Sequence, residues 1–320
     1  MASAIVAEHV TKIYPGSRSG VPALEDLSLE VPSGGIYGLI GRNGAGKTTF
    51  IRIAATQLEA TGGTVSVLGY DVRGDEREVR ARIACVPQES RPLYFLTTEE
   101  VVYLYLKMRG LPTADARRRT EAALEELSLV EYRRRLVSRL SGGLRRRTMC
   151  AMVLASDADV MFLDEPTTGL DPIARREVWE AIRRASREHR TIVLTTHYLD
   201  EAEALSSRLA LVERGRRVLE GTPAELRARV RYPYRVTVWG LVPREELDGY
   251  GRVSPIEGGH LVFAGEDDAR ELARWALERG LRLSMGPVSL EDIFLEVVGR
   301  SIDEDTPLAT EDDEAAEAPS

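Results

Sequence analysis

Gly35-Ile36-Tyr37-Gly38-Leu39-Ile40-Gly41-Arg42-Asn43-Gly44-Ala45-Gly46-Lys47-Thr48-Thr49 opens as an apolar run and closes as a glycine-rich turn. Its first six residues read as a buried strand, and residues 48–58 read as a helix. Between them Gly41, Gly46, Lys47 and Thr48 hold the spacing of a phosphate loop, in the strand-then-helix context which that motif requires. Gly44 and Gly46 let the backbone come close to an anion and turn its N–H groups inward, with Asn43 and Ala45 adding amides of their own. The helix start at Thr48 and Thr49 contributes the positive end of its dipole. Lys47 places a point charge against the β- and γ-phosphates, and the Thr48 hydroxyl suits Mg²⁺. The plainer alternative is a glycine-rich turn that happens to contain a lysine. The chain has three lysines in all, Lys12, Lys47 and Lys107, so a lysine here is not background.

Residues 4–40 read as short strands separated by turns at Pro15-Gly16, Val21-Pro22 and Pro32-Ser33-Gly34-Gly35. A strand at 83–86 ends at Pro87-Gln88. The pattern is then helical from 97 to 140, with helices at 99–109 and 114–127 broken at Pro112. Strands return at 160–163 and 191–195 around a helix at 173–188, the alternation of a mainly parallel sheet with crossover helices. Past about residue 225 the pattern changes to strands at 235–239, 260–263 and 281–284, with helices at 267–279 and 289–298. The expected division is a nucleotide-binding domain at 1–225 with a helical subdomain at about 97–157. A small α+β domain at 226–300 and an acidic tail at 301–320 follow.

The run Asp159-Val160-Met161-Phe162-Leu163-Asp164-Glu165 is an apolar strand ending in two carboxylates. Parallel sheets bind ligands at that edge. Asp164 there can hold Mg²⁺, and Glu165 can take a proton from an attacking water. Gln88 follows another strand end, from which it can reach the metal and the water. His197 ends the run 191–196, where it can touch a γ-phosphate. Taken singly, Gln88 is an ordinary loop residue and His197 an ordinary structural histidine. Guanine-specific proteins use an Asn-Lys-x-Asp segment, and Asn43 is the only asparagine in the chain, which disfavours guanine. In Leu140-Ser141-Gly142-Gly143-Leu144-Arg145-Arg146-Arg147 a glycine pair opens a further helix. Ser141, Gly142 and Gly143 form a second phosphate-binding helix start, or simply a capped helix with a basic face.

These segments, in this order over about the first 220 residues, resemble the ATP-binding-cassette (ABC) ATPases. Residues 41–49 are similar to the family's Walker A loop, Gln88 to its Q-loop, Leu140–Gly143 to its signature and Asp164-Glu165 to its Walker B end. Gly169-Leu170-Asp171-Pro172 resembles the D-loop, His197 the switch histidine, and Tyr14 the aromatic ring that lies against adenine. Two departures stand out: Arg42 where proline is common, and Leu144 where many members have glutamine. The resemblance implies an α/β P-loop NTPase fold with an antiparallel β subdomain and a helical subdomain. It also implies that ATP and Mg²⁺ are bound between two copies packed head to tail. Each ATP would then lie between one chain's loop and the other's Ser141, Gly142 and Gly143. The second chain is a second copy or a homologous ATPase.

The formal charge of −8 comes from the last twenty residues, which hold eight acids and no base and leave 43 acids against 43 bases elsewhere. That balance gives no basic stripe for nucleic acid. Two cysteines in apolar segments fit a reducing compartment. The start shows no signal-peptide pattern, and no apolar stretch reaches the ~18 residues that span a bilayer. If the chain works at a membrane, another chain does the spanning. The resemblance implies a separately encoded transmembrane permease as that partner, with this chain cytoplasmic and peripheral on the inner face of the membrane. Residues 289–299 resemble the closing helix of family members that serve exporters of drugs, antibiotics or polysaccharides. An import or lipid-transport ATPase and a non-transport ATP switch are the alternatives.

Overall fold

The computed structural model describes residues 2–16, 21–86, 95–187 and 190–298. Gln88 and the acidic tail at 301–320 lie outside them. In the first layer β1 (Ser3–Lys12), β2 (Leu24–Pro32), β4 (Gly62–Val67) and β5 (Tyr70–Asp71) form an antiparallel sheet in the order β2-β1-β4-β5. Ile5 pairs with Val31 and Ala7 with Leu29, so alternate residues on this face stay apolar.

The second layer is the sheet β10-β9-β3-β8-β7-β6. It is built from β3 (Gly35–Ile40), β6 (Ile83–Val86), β7 (Val160–Asp164), β8 (Thr191–Thr196), β9 (Arg208–Glu213) and β10 (Arg216–Gly221). Five of these strands run parallel, and β10 returns antiparallel at the edge. Covered on both faces, the parallel strands carry apolar residues on both sides of their middle stretches, and alternation along β7 shows why. Val160 and Phe162 point to one core with Tyr37 and Leu39 of β3. Met161 and Leu163 point to the other.

The first core encloses α1 (Lys47–Ala54) between the two sheets through Phe50, Ile51 and Ile53. Phe50 is fully buried, and truncating it to alanine costs about 3–5 kcal/mol. α1 is shorter than the expected 48–58. Thr56 turns left-handed at φ 59°, and the amides of Gln57 and Leu58 both fold back to the Arg52 carbonyl. α2 (Glu76–Arg82) leads into β6.

Against the second core pack α3 (Thr98–Met108), α4 (Thr113–Glu126), α5 (Gly142–Leu154) and α6 (Pro172–Ser186). The start of α3 is fixed by a capping box between Thr97 and Glu100. α7 (Leu199–Leu205) joins β8 to β9, and α8 (Pro223–Arg229) follows β10.

The last sheet, β12-β13-β11-β14, is wholly antiparallel. Its strands are β11 (Tyr234–Trp239), β12 (Gly251–Ile256), β13 (Gly259–Ala264) and β14 (Arg282–Pro287). Helix α9 (Glu266–Glu278) lays Ala269, Leu272 and Ala276 on Val236, Val238 and Val262. β12 is not expected from the sequence, because Pro255 and the flanking glycines break its alternation. β14 runs three residues past the expected 281–284. The closing helix α10 (Leu290–Val298) packs its Ile293 and Phe294 with Ile40, Leu209 and Leu226, against α7 and α8. Its start is fixed by Ser289 and Asp292, which bond each other's backbone amides at 3.2 and 2.8 Å.

Candidate functional site

β3 delivers the loop at its carboxyl end, where the parallel sheet opens. Gly46 caps α1 at φ 106°, a left-handed conformation that strains any other residue. A Cβ there would also stand 2.6 Å from the Ala23 carbonyl oxygen, so the close approach excludes a side chain. The loop is anchored from outside as well. The Gly215 amide donates to the Ala45 carbonyl at 2.9 Å, and Glu25 returns a bond to Gly215. A cavity of about 310 Å³ lies over the loop, lined by Ala23, residues 43–49 and Glu165.

Lys47 is 4 % exposed and donates to the carbonyls of Gly41 and Arg42 at 2.6 and 3.0 Å. Its ammonium stands 4.0 Å from Glu165 Oε1. The Thr48 hydroxyl donates to Asp164 Oδ1 at 3.2 Å, which joins the loop to the end of β7. Thr195 of β8 donates to the same oxygen. Burial raises the Asp164 carboxyl above its usual range, opposed by those two hydroxyls. A Mg²⁺ ion fits this donor set. It prefers one or two carboxylates with the remaining positions taken by substrate phosphates and water, and Thr48 with Asp164 supply that much. Among the described residues no cluster of three His, Cys, Asp or Glu offers an all-protein metal cage.

Glu165 is buried at 5 % exposure, yet its carboxyl is lowered below the usual range. The main cause is His197, whose Nδ1 lies 3.4 Å from Oε1; Lys47 and a 3.2 Å bond from the Thr168 hydroxyl add to it. A carboxylate kept ionised in a buried setting can accept a proton. Asp164, Glu165, Lys47, Thr48 and His197 therefore meet at one sheet edge. Tyr14 also belongs to this region, since its hydroxyl lies 3.3 Å from Thr49 Oγ1 and its ring is partly exposed.

The second glycine-rich helix start faces elsewhere. Ser141 caps α5, accepting from the Leu144 amide at 3.3 Å, and both Ser141 and Gly142 are exposed. Neither lines the loop's cavity. Gly143 is the tight one, because a Cβ would stand 3.1 Å from Leu170 of the neighbouring turn. Asp171 caps α6 by accepting from the amides of Ile173 and Ala174 at 3.0 and 2.9 Å.

Several contacts at the site carry no local sequence signal. Thr195 bonds both the Asp164 carboxylate and the Glu165 amide, and it reads as one apolar-strand residue among six. Glu201 is fully buried and accepts from Thr167 and Trp179 at 2.7 and 2.8 Å, tying α7 to the turn after β7. Arg146 reaches the carbonyls of Asp164 and Glu165. Only spacing across 30 or more residues, read as contact, would have found Thr195 and Glu201.

A phosphate loop, a hydroxyl–carboxylate pair and a buried ionised glutamate at one parallel-sheet edge define a P-loop nucleoside triphosphatase. A family model described as ABC transporter matches residues 24–168. The daunorubicin/doxorubicin resistance ATP-binding protein DrrA of Streptomyces peucetius is 36% identical over 98% of both chains. The Nod factor export ATP-binding protein I of Burkholderia orbicola is 36% identical over 86% of this chain and 92% of its own. A solved ATP-binding subunit of an ABC transporter superposes with a TM-score of 0.65 at 27% identity, covering 71% of this chain and 93% of that one. A dimeric bacterial ABC transporter cassette, at 24% identity and a TM-score of 0.63, covers 68% of this chain and 98% of its own and shares the fold. The chain belongs to the ABC transporter family as an ATP-binding, ATP-hydrolysing subunit.

Proposed function

We propose that two copies of this chain close head to tail on ATP and drive a separate membrane permease that exports its cargo. One observation carries the reading. The cavity over the phosphate loop is lined from one side, while Ser141 and Gly142 stand exposed at a helix start away from it. A second copy turned by a two-fold axis brings that helix start to the other side of the nucleotide and makes two equivalent sites. Charge shared across the interface makes ATP the glue, and its hydrolysis loosens the pair. A homologous ATPase in place of the second copy satisfies the same geometry.

Within each site the roles follow from position. The amides of residues 43–46 and the Lys47 ammonium take the phosphates, and Tyr14 takes the adenine face. Thr48 and Asp164, with Gln88 as a further candidate, hold Mg²⁺, which when bound neutralises phosphate charge. Glu165 accepts the proton of the attacking water, and His197 steadies both that carboxylate and the γ-phosphate. Asp171, beside the glycine turn at Gly169, faces the partner across the interface.

No helix among the described residues is long and apolar enough to cross a membrane. In this reading the chain is a peripheral subunit on the inner face and another chain does the spanning. Export is supported by the relatives, one of which is named for drug resistance and another for export. Residues 226–300, docked through α10, form the small C-terminal domain in this reading. Copurification from solubilised membranes tests it. A multi-span polypeptide retained with the chain is expected; the chain recovered alone, or with ribosomes, contradicts it.

A further inference from the structure

Glu165 is held in an uncommon backbone state. It is one of the few non-glycine residues with positive φ, at 50°, and only surrounding contacts keep such a residue there. Its amide donates to the Thr195 carbonyl at 3.1 Å and to the Thr195 hydroxyl at 3.0 Å. Its carbonyl accepts from Arg146 Nη2 at 2.6 Å, and the same nitrogen reaches the Asp164 carbonyl. One guanidinium thus spans the two peptide oxygens flanking the left-handed residue. Charged donors make the stronger hydrogen bonds, and a guanidinium holds its donors in a fixed plane.

Arg146 does not belong to β7 or to the phosphate loop. It sits on α5, five residues beyond Ser141, about 7.5 Å along the helix axis. α5 is itself fastened, since the adjacent Arg147 bonds Glu177 of α6 at 2.7 Å and the Leu127 carbonyl at 3.2 Å. The helix whose start faces outward for the partner's nucleotide therefore grips the backbone of its own chain's hydrolytic carboxylate.

We propose that Arg146 is a positioning residue for hydrolysis, setting the backbone and thereby the carboxylate of Glu165 from the signature helix. The inference rests on the reading of Glu165 as the proton acceptor. Displacement of a reacting group by about 1 Å costs on the order of 100-fold in rate, and that is the scale at stake.

The test compares Arg146→Met and Arg146→Lys with the unaltered full-length chain, measuring steady-state ATPase, ATP affinity by calorimetry and Tm. Arg146→Met is expected to lose about 10- to 100-fold in kcat with KM for ATP and Tm close to the parent. Arg146→Lys, whose ammonium can still donate to both carbonyls, recovers most of that loss. Wild-type kcat in Arg146→Met overturns the proposal. So does a kcat loss that comes with an equal loss of ATP affinity or a collapsed Tm, unless Arg146→Lys restores turnover. If the methionine variant does not fold, the lysine variant alone decides, and a kcat loss as large as that of Glu165→Gln overturns the idea. Glu165→Gln separates the two readings. Wild-type hydrolysis in Glu165→Gln removes the underlying assignment, whereas inactive Glu165→Gln beside fully active Arg146→Met removes only the role of Arg146.

Discussion

The chain has two helix starts suited to phosphate, and they differ in almost every physical respect. The start of α1 is enclosed: Gly46 has no room for a side chain, Lys47 is buried, and the loop is pinned from the β9–β10 turn. The start of α5 is open, with Ser141 and Gly142 exposed and no lysine of its own. An enclosed anion site with a resident cation works within one molecule. An open one with only backbone N–H groups and a serine is weak alone, and acquires its ligand when another molecule presents it. In the proposed pair, the difference between them is the difference between gripping ATP and being closed by it.

The strongest way to break this contrast is at Lys47. Lys47→Ala removes the ammonium at the loop, and ATP affinity by calorimetry is expected to fall by 100-fold or more, about 3 kcal/mol at the scale of a charged hydrogen bond. Unchanged affinity would show that the enclosed start is not the principal site. Ser141→Arg probes the open start. It places a bulky side chain at an exposed cap, so ATP binding to one chain should persist, while turnover falls by about 10- to 100-fold through loss of the closed pair. A parallel loss of binding and turnover would mean that Ser141 acts within its own chain.

A smaller effect concerns how far the openness of α5 extends. Nine residues past Ser141, Cys150 is fully buried, and burial pushes its thiol up to about 11. Only a thiolate reacts, so at pH 8 Cys150 should resist alkylation in the folded chain, with or without ATP, and react on unfolding. Mass spectrometry after iodoacetamide reads this directly, and labelling that rises with ATP would show that the whole helix, not its first turn, opens. The smallest expected change is in Asp171→Ala. The Asp171 carboxyl is lowered first by the Ala174 amide and then by that of Ile173, so the cap is formed above the ordinary aspartate range and lost as pH falls through the lowered value. The variant should show a slightly lower Tm at neutral pH, with the difference from the parent shrinking in acid.

Much of this site is legible in the sequence, because its parts are contiguous. The loop at 41–49, the pair Asp164-Glu165 and the glycines at 142–143 each carry their chemistry within a few residues, and the strand and helix patterns place the first two at one sheet edge. The groups that hold them carry no such mark. Thr195 bonds Asp164 and Glu165 from a strand where it looks like any β-branched filler, and Arg146 is the middle of three arginines that a solvated face would explain equally well. Glu201 sits in an acidic helix start, and only folding shows that it is buried against Trp179. The C-terminal region is less legible for a related reason. Its strands depend on antiparallel partners, and β12, interrupted by proline and edged by glycine, carries no pattern strong enough to announce a strand. The shortening of α1 at Thr56 is likewise a backbone event with no sequence mark.

The central claim is that ATP closes two of these chains into a pair, and Glu165→Gln tests it most directly. The substitution keeps the side chain's size and leaves the phosphate loop unaltered, but removes the carboxylate proposed to accept the proton. Light scattering during size-exclusion chromatography in ATP and Mg²⁺ should show the variant at twice the mass of one chain, reverting to single mass when nucleotide is removed. A variant that binds ATP and remains at the mass of one chain would contradict the account.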